Sequence, residues 1–377
     1  MEKTADLTAD MNLLRLFFNF GKFIGIIPLY HSTTKMWKKC LSIFYVTVLT
    51  VTIFTVYITS AVDRREMYKK MRLVHVVVDV LITFATSIFI LFCRLIPFTN
   101  YDRFSEIYEI SAQIERNFSH TNFKVGRWEM TWIYFRMIFL HLMYIGIHIY
   151  EFFIKIRWAQ NFIYIILYLP SLIAIYHKLF IINLVIKVNS VVLVRYEFIK
   201  KCIEINTTKY KLSVGSLELS KKTLTTDECF VNFKILYQLV HTLNEIFAWP
   251  IFLILACTVL ETLTVINFMN SVLNWSEIIL DCAYAATYIM STIIIVRSCD
   301  TVEKMAKDTL MSCYIQQESL KGTEFEQELL QFVNLSNAFL PVYNAGFVTL
   351  NLQVLSSLFS ATLTYLIVII QFDLTLK

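Results

Sequence analysis

Seven predominantly apolar windows of about 20 residues recur along this chain, at residues 40–61, 73–96, 131–153, 160–182, 246–268, 276–296 and 347–371. A segment of that length and hydropathy crosses a bilayer, and inside lipid its backbone must satisfy its own hydrogen bonds. The windows therefore predict an all-α membrane protein of seven transmembrane helices. Composition agrees, since 57% of residues are hydrophobic and only 17% charged. A soluble domain of this size needs far less apolar surface.

Lys and Arg set the orientation. Most of the 34 basic residues fall on the segments that are inside if the N-terminus is cytoplasmic, and Lys35, Lys38 and Lys39 directly precede the first window. That is the positive-inside pattern. One loop dissents, with Arg64, Arg65, Lys69, Lys70 and Arg72 on the outer side. The reading is a cytoplasmic N-terminus and an extracellular C-terminus, opposite to a G-protein-coupled receptor. The acidic, polar start and the distance to the first apolar run predict no cleavable signal peptide. The net charge of +5 is spread over membrane-flanking loops and suits anionic lipid better than nucleic acid.

This divides the chain into a cytosolic N-terminal segment 1–39 and a bundle 40–296 with inner loops 97–130 and 183–245. An inner helical segment 297–346 and a final helix 347–377 follow. Helical patterns mark the inner segments. Val185, Val188 and Val192 alternate with Lys187, Arg195, Lys200 and Lys201, and residues 299–318 and 323–340 are patterned similarly. They read as cytosolic extensions of the spans or as solvated amphipathic linkers. Residues 205–223 read as a flexible loop.

The eight cysteines include no Cys-x-x-Cys pair, and none lies in an outer loop. No structural disulfide, metal site or cofactor is expected. Enzyme signatures such as His-Glu-x-x-His and Gly-x-Ser-x-Gly are absent. Intramembrane carboxylates with Pro170 and Pro250 leave a secondary transporter as an alternative, against which stands the lack of internal symmetry.

The last helix carries Ser356, Ser357, Ser360, Thr362, Thr364 and Gln371 with no charge before Asp373. A helix facing only lipid has little use for such groups, whereas a pore lining uses them. Thr364, Val368 and Gln371 or Phe372 share a face. Asp373 and the helix C-terminus would favour cations at the outer mouth.

This segment resembles the C-terminal signature of insect gustatory receptors: Thr364-Tyr365, five apolar residues, then Gln371-Phe372, with Asn344-Ala-Gly-Phe347 as its lead-in. The resemblance implies a ligand-gated cation channel of the plasma membrane, built as a homotetramer or a heteromer with related receptors. It also implies a cytosolic anchor made from the helical extensions. It assigns the closing constriction to Gln371 and Phe372, with Val368 the next ring inward. The phenol of Tyr365 is expected to find a partner on the neighbouring subunit. The related insect odorant receptors share the fold and remain an alternative.

Ionisable and aromatic groups cluster in the outer half of the spans. His75 and Asp79 lie one turn apart. Tyr144, His148 and Glu151 share a face with His141, and Glu277, Asp281, Tyr284 and Tyr288 follow heptad spacing. Trp158, Tyr164, Tyr168, Glu261 and Thr264 add to the set. Such faces can surround a small polar tastant, or they can satisfy one another between helices. The acids fit an alkaloid-like cation or sugar hydroxyls. Leu366 stands where receptors for common sugars carry Glu, which favours the bitter or fructose-like branches.

Overall fold

The computed structural model describes residues 5–28, 36–37, 39–48, 50–52, 55, 73–118, 127–158, 163–213, 224–269 and 275–375. The elements are α1 (Ala5–Phe23), α2 (Lys39–Thr52), α3 (Leu73–Thr99), α4 (Tyr101–Phe118) and α5 (Arg127–Trp158). They continue with α6 (Ile163–Ser213), α7 (Thr226–Met269), α8 (Trp275–Glu318) and α9 (Glu324–Asn337). A hairpin of β1 (Asn344–Ala345) and β2 (Val348–Thr349) then leads into α10 (Leu352–Thr375). Among the described residues, four stretches are long and apolar enough to cross a membrane: Val76–Thr99, Tyr176–Tyr210, Thr226–Leu263 and Ile278–Glu318. Three of these overlie the second, fifth and sixth sequence windows, and Tyr176–Tyr210 meets the fourth only over residues 176–182.

Length is what shapes the molecule. The 51 residues of α6 extend about 76 Å, against a hydrocarbon core of about 30 Å. With 44 residues each, α7 and α8 are also far longer than a bilayer is thick. The three helices pack on one another. At the centre, residues 177–192 of α6 are buried throughout, because its apolar residues run around the whole helix. Lys187 and Arg195, in the segment read as a cytosolic extension or a solvated linker, are both fully buried. Arg195 donates to the Val191 carbonyl at 2.8 Å and lies 5.6 Å from the Phe118 ring of α4.

Local chemistry fixes the helix starts. Thr225 and Glu228 form a reciprocal capping box at the start of α7, with bonds of 3.2 and 2.8 Å. Thr323 and Glu326 cap α9, the Thr323 hydroxyl accepting from Glu326 N.

Three sequence expectations change. The N-terminal segment contains the helix α1, whose Met11, Leu14 and Phe18 bury at helical spacing against α4 and α6. The expected loop 205–223 is helical as far as Ser213; Asn206 Nδ2 donates to Leu224 O at 2.7 Å and Thr207 Oγ1 to Gln316 Oε1 at 2.6 Å. Residues 214–223 lie outside the described ones. The final helix, expected from residue 347, starts at Leu352, because residues 344–349 form the hairpin.

Candidate functional site

Three helices bring the polar cluster together. His148 and Glu151 are one turn apart on α5, and Tyr284 of α8 meets both. Its hydroxyl donates to Glu151 Oε2 in a short hydrogen bond and lies 3.0 Å from His148 Nδ1. The Tyr284 hydroxyl thus sits between the His148 ring and the Glu151 carboxylate. His148 Nδ1 is also 3.3 Å from Glu151 Oε2. Both residues are buried. The Tyr144 ring meets His148 edge-on at 4.2 Å and approaches Tyr176 of α6 at 5.7 Å. One turn beyond Tyr284, Tyr288 is buried as well.

Beside this cluster is a buried cation in the fourth apolar window. Lys178 of α6 has its ammonium 5.0 Å from the Tyr288 ring centroid and 5.7 Å from that of Phe89. It also donates to Thr86 Oγ1 at 3.4 Å. Its signal was an ionisable residue in an apolar window. Nearby, Thr258 and Thr292 join α7 to α8 through a 2.8 Å bond. The helices are thus tied by side chains that satisfy one another, while the aromatic rings meet edge-on or tilted around them.

The structure brings together Tyr144, His148, Glu151, Tyr284 and Tyr288 of the expected set. Glu261 is half-buried on α7. The side chains of His75, Asp79, Trp158, Tyr164, Tyr168, Thr264, Glu277 and Asp281 lie outside the described ones.

On α10, the chain covers one face only. Val354 and Thr362 are buried, whereas Thr364, Tyr365, Val368 and Gln371 are exposed. The Thr362 and Thr364 hydroxyls donate to carbonyls one turn back, at 2.8 and 2.9 Å. The side chains of Phe372 and Asp373 lie outside the described ones.

The Asn-Ala-Gly-Phe lead-in is the two-stranded hairpin. Gly346 has φ +55°, at the position where tight hairpins take glycine. A Cβ there would lie 3.3 Å from Phe252 Cγ and 3.4 Å from Trp249 Cε3. Phe347 packs edge-on to Trp249 at 4.9 Å. Asn344 N donates to Asn244 Oδ1 of α7 at 2.9 Å. The sequence reading saw the motif but not the turn; the signal was a glycine between Asn344 and the β-branched pair Val348-Thr349.

A bundle of such helices defines a membrane protein with several apolar helices. Residues 14–376 match the profile of the 7tm chemosensory receptors, and the chain belongs to that family. It is a receptor and not an enzyme. The insect olfactory receptor OR5 from Machilis hrabei, solved in complex with eugenol, is similar in fold, with a TM-score of 0.67 and 11% identity over 97% of this chain and 100% of that one. A second structure of that receptor gives a TM-score of 0.57 over the same shares, also at 11% identity. Among curated proteins, none matches the chain significantly.

Proposed function

We propose that this chain is a gustatory-type receptor, a ligand-gated non-selective cation channel of the plasma membrane. A small tastant in the outer half of the bundle opens it. The observation that carries the reading is α10. Its own chain covers the Val354 and Thr362 face and leaves Thr364, Tyr365, Val368 and Gln371 exposed, and these fall on the Thr-Tyr…Gln-Phe signature. A polar, apolar-flanked face left bare by its own chain suits a helix that meets copies of itself around a conduit.

On this reading seven spans carry the chain from a cytoplasmic N-terminus to an extracellular C-terminus. Four subunits, identical or mixed with related receptors, surround the axis, held by the projecting parts of α6, α7 and α8. Gln371 and Phe372 close the conduit by a dewetted constriction, Val368 forms the next ring, and Asp373 repeats at the mouth and favours cations. Tyr365 reaches the neighbouring subunit. The ligand is a bitter compound or a sugar, bordered by the Tyr144, His148, Glu151, Tyr284 and Tyr288 cluster together with the acids of α3, α7 and α8.

The likeness in fold to an olfactory receptor solved with eugenol favours a second reading, an odorant-type channel subunit. One experiment separates the two. Cells expressing the chain alone are exposed to panels of sugars, bitter compounds and volatile phenols during whole-cell recording. Current evoked within milliseconds by a tastant supports the gustatory reading. Current evoked only by volatiles, or only with a second receptor present, supports the odorant one.

A further inference from the structure

A small cavity of about 50 Å³ lies between α1 and α4. Met11, Leu14 and Phe18 of α1 are buried and give it an apolar floor. Phe18 in turn packs on the Tyr108 ring of α4, with centroids 4.9 Å apart. Arg15 and Ala112 are exposed and mark the rim. Arg15 pairs there with Glu115 of α4, so the two charges at the mouth satisfy each other.

One polar group on the wall is unmet. Ser111 is only 9% exposed, and its hydroxyl has no hydrogen-bond partner among the described residues. A serine or threonine within a helix can donate its proton to the carbonyl one turn back, as Thr207 and Thr309 do at 2.9 and 2.8 Å. Ser111 does not. A buried hydroxyl left without a bond is destabilising, and one on a cavity wall calls for an occupant with a polar atom.

Size and wall chemistry restrict that occupant. One water needs about 10–15 Å³ of such space, so the cavity has room for roughly three to five non-hydrogen atoms. Water alone wants two to four polar partners, and Met11, Leu14 and Phe18 offer none. An ionised acid or amine would lose its hydration against that floor. A short alcohol meets both demands, with one hydroxyl for Ser111 and a small alkyl chain for the floor.

We propose that the cavity between α1 and α4 binds alcohols of two to four carbons, with the hydroxyl bonded to Ser111 Oγ and the alkyl chain on Met11, Leu14 and Phe18. Neither helix contributes to the His148, Glu151 and Tyr284 cluster, so this site is separate from the tastant site and its occupation braces α1 on α4.

The test uses the full chain in phosphatidylcholine nanodiscs and 3-azibutanol, a four-carbon alcohol whose diazirine inserts into nearby bonds on illumination. Digestion and mass spectrometry locate the adducts. They are expected on residues 11–18 and 108–115, and an excess of n-butanol should reduce them several-fold. Competition should rise from ethanol to butanol and fall at octanol, which the cavity cannot hold. Ser111→Ala should weaken the labelling by removing the hydrogen bond, and Ala112→Leu by narrowing the rim. Ala112 is exposed, so the second variant keeps the result readable if the first misfolds. Competition that keeps rising through octanol would show partitioning into lipid and overturn the proposal. Adducts missing from both helices, or unchanged in either folded variant, would overturn it equally.

Discussion

Tyr343 and Asn189 meet in a 2.6 Å hydrogen bond between side chains 154 positions apart. Asn189 Nδ2 in turn donates to Ser298 Oγ at 3.1 Å, so one buried amide ties the hairpin before α10 to both α6 and α8. Burial holds the Tyr343 phenol well above its ordinary pKa, because the phenolate would be desolvated. The hydroxyl therefore stays protonated and keeps donating.

Tyr343→Phe leaves Asn189 Oδ1 buried without its donor, a loss of about 1–3 kcal/mol. Thermal unfolding of the purified receptor should shift downward. Asn189→Ala on top of Tyr343→Phe should add less than it costs alone, since the two residues share one bond. Full additivity would show that the bond contributes nothing.

Gly346 and Gly322 both hold positive φ, at +55° and +82°. They differ in surroundings: a Cβ at 346 meets Phe252 and Trp249, whereas at 322 nothing lies within 4 Å. Alanine at either position pays a left-handed strain of about 1–2 kcal/mol. The 346 substitution also presses on Phe252 of α7, which must give by a few tenths of an ångström, so it should lower the unfolding midpoint more. Equal shifts would mean that the hairpin does not press on α7 as described.

The His148, Glu151 and Tyr284 cluster gives a third comparison. Tyr284→Phe removes the donor to a buried carboxylate, which costs more than losing a bond between neutral groups. Glu151→Gln keeps an acceptor for Tyr284 and should be milder. Stability measured on the two single variants and the double variant checks this order. If the cluster also borders the ligand, Tyr284→Phe shifts the half-maximal tastant concentration, whereas Thr323→Ala at the distant α9 cap leaves it unchanged.

Periodic features of the sequence were easy to read. Windows of apolar residues located α3, α7 and α8, because lipid and helix geometry together impose length and composition. The helical patterning of residues 323–340 located α9. Where tertiary partners decided, the sequence was less informative. Lys187 and Arg195 fit a cytosolic extension or a solvated linker, since the sequence does not reveal that this part of α6 is enclosed on all sides. α1 was missed because Met11, Leu14 and Phe18 form too short a pattern to stand out beside seven longer ones. The hairpin at Gly346 was hidden in a motif read as helix.

The candidate site was legible in part for a similar reason. Heptad spacing placed Tyr284 and Tyr288 on one face, and helical spacing placed His148 with Glu151. Their meeting across α5 and α8 depends on how the two helices pack, which spacing along one helix cannot show. Lys178 is legible as a charge in an apolar window, but its position over Tyr288 comes from α6 packing on α8.

The most direct test of the central claim is whole-cell current from Gln371→Ala beside the wild-type chain, with an activating tastant. If α10 lines the conduit, trimming the side chain at its constriction changes rectification or raises baseline leak while the receptor still reaches the surface. A current that develops slowly, stops with G-protein inhibitors and is unchanged by the substitution would contradict the channel account.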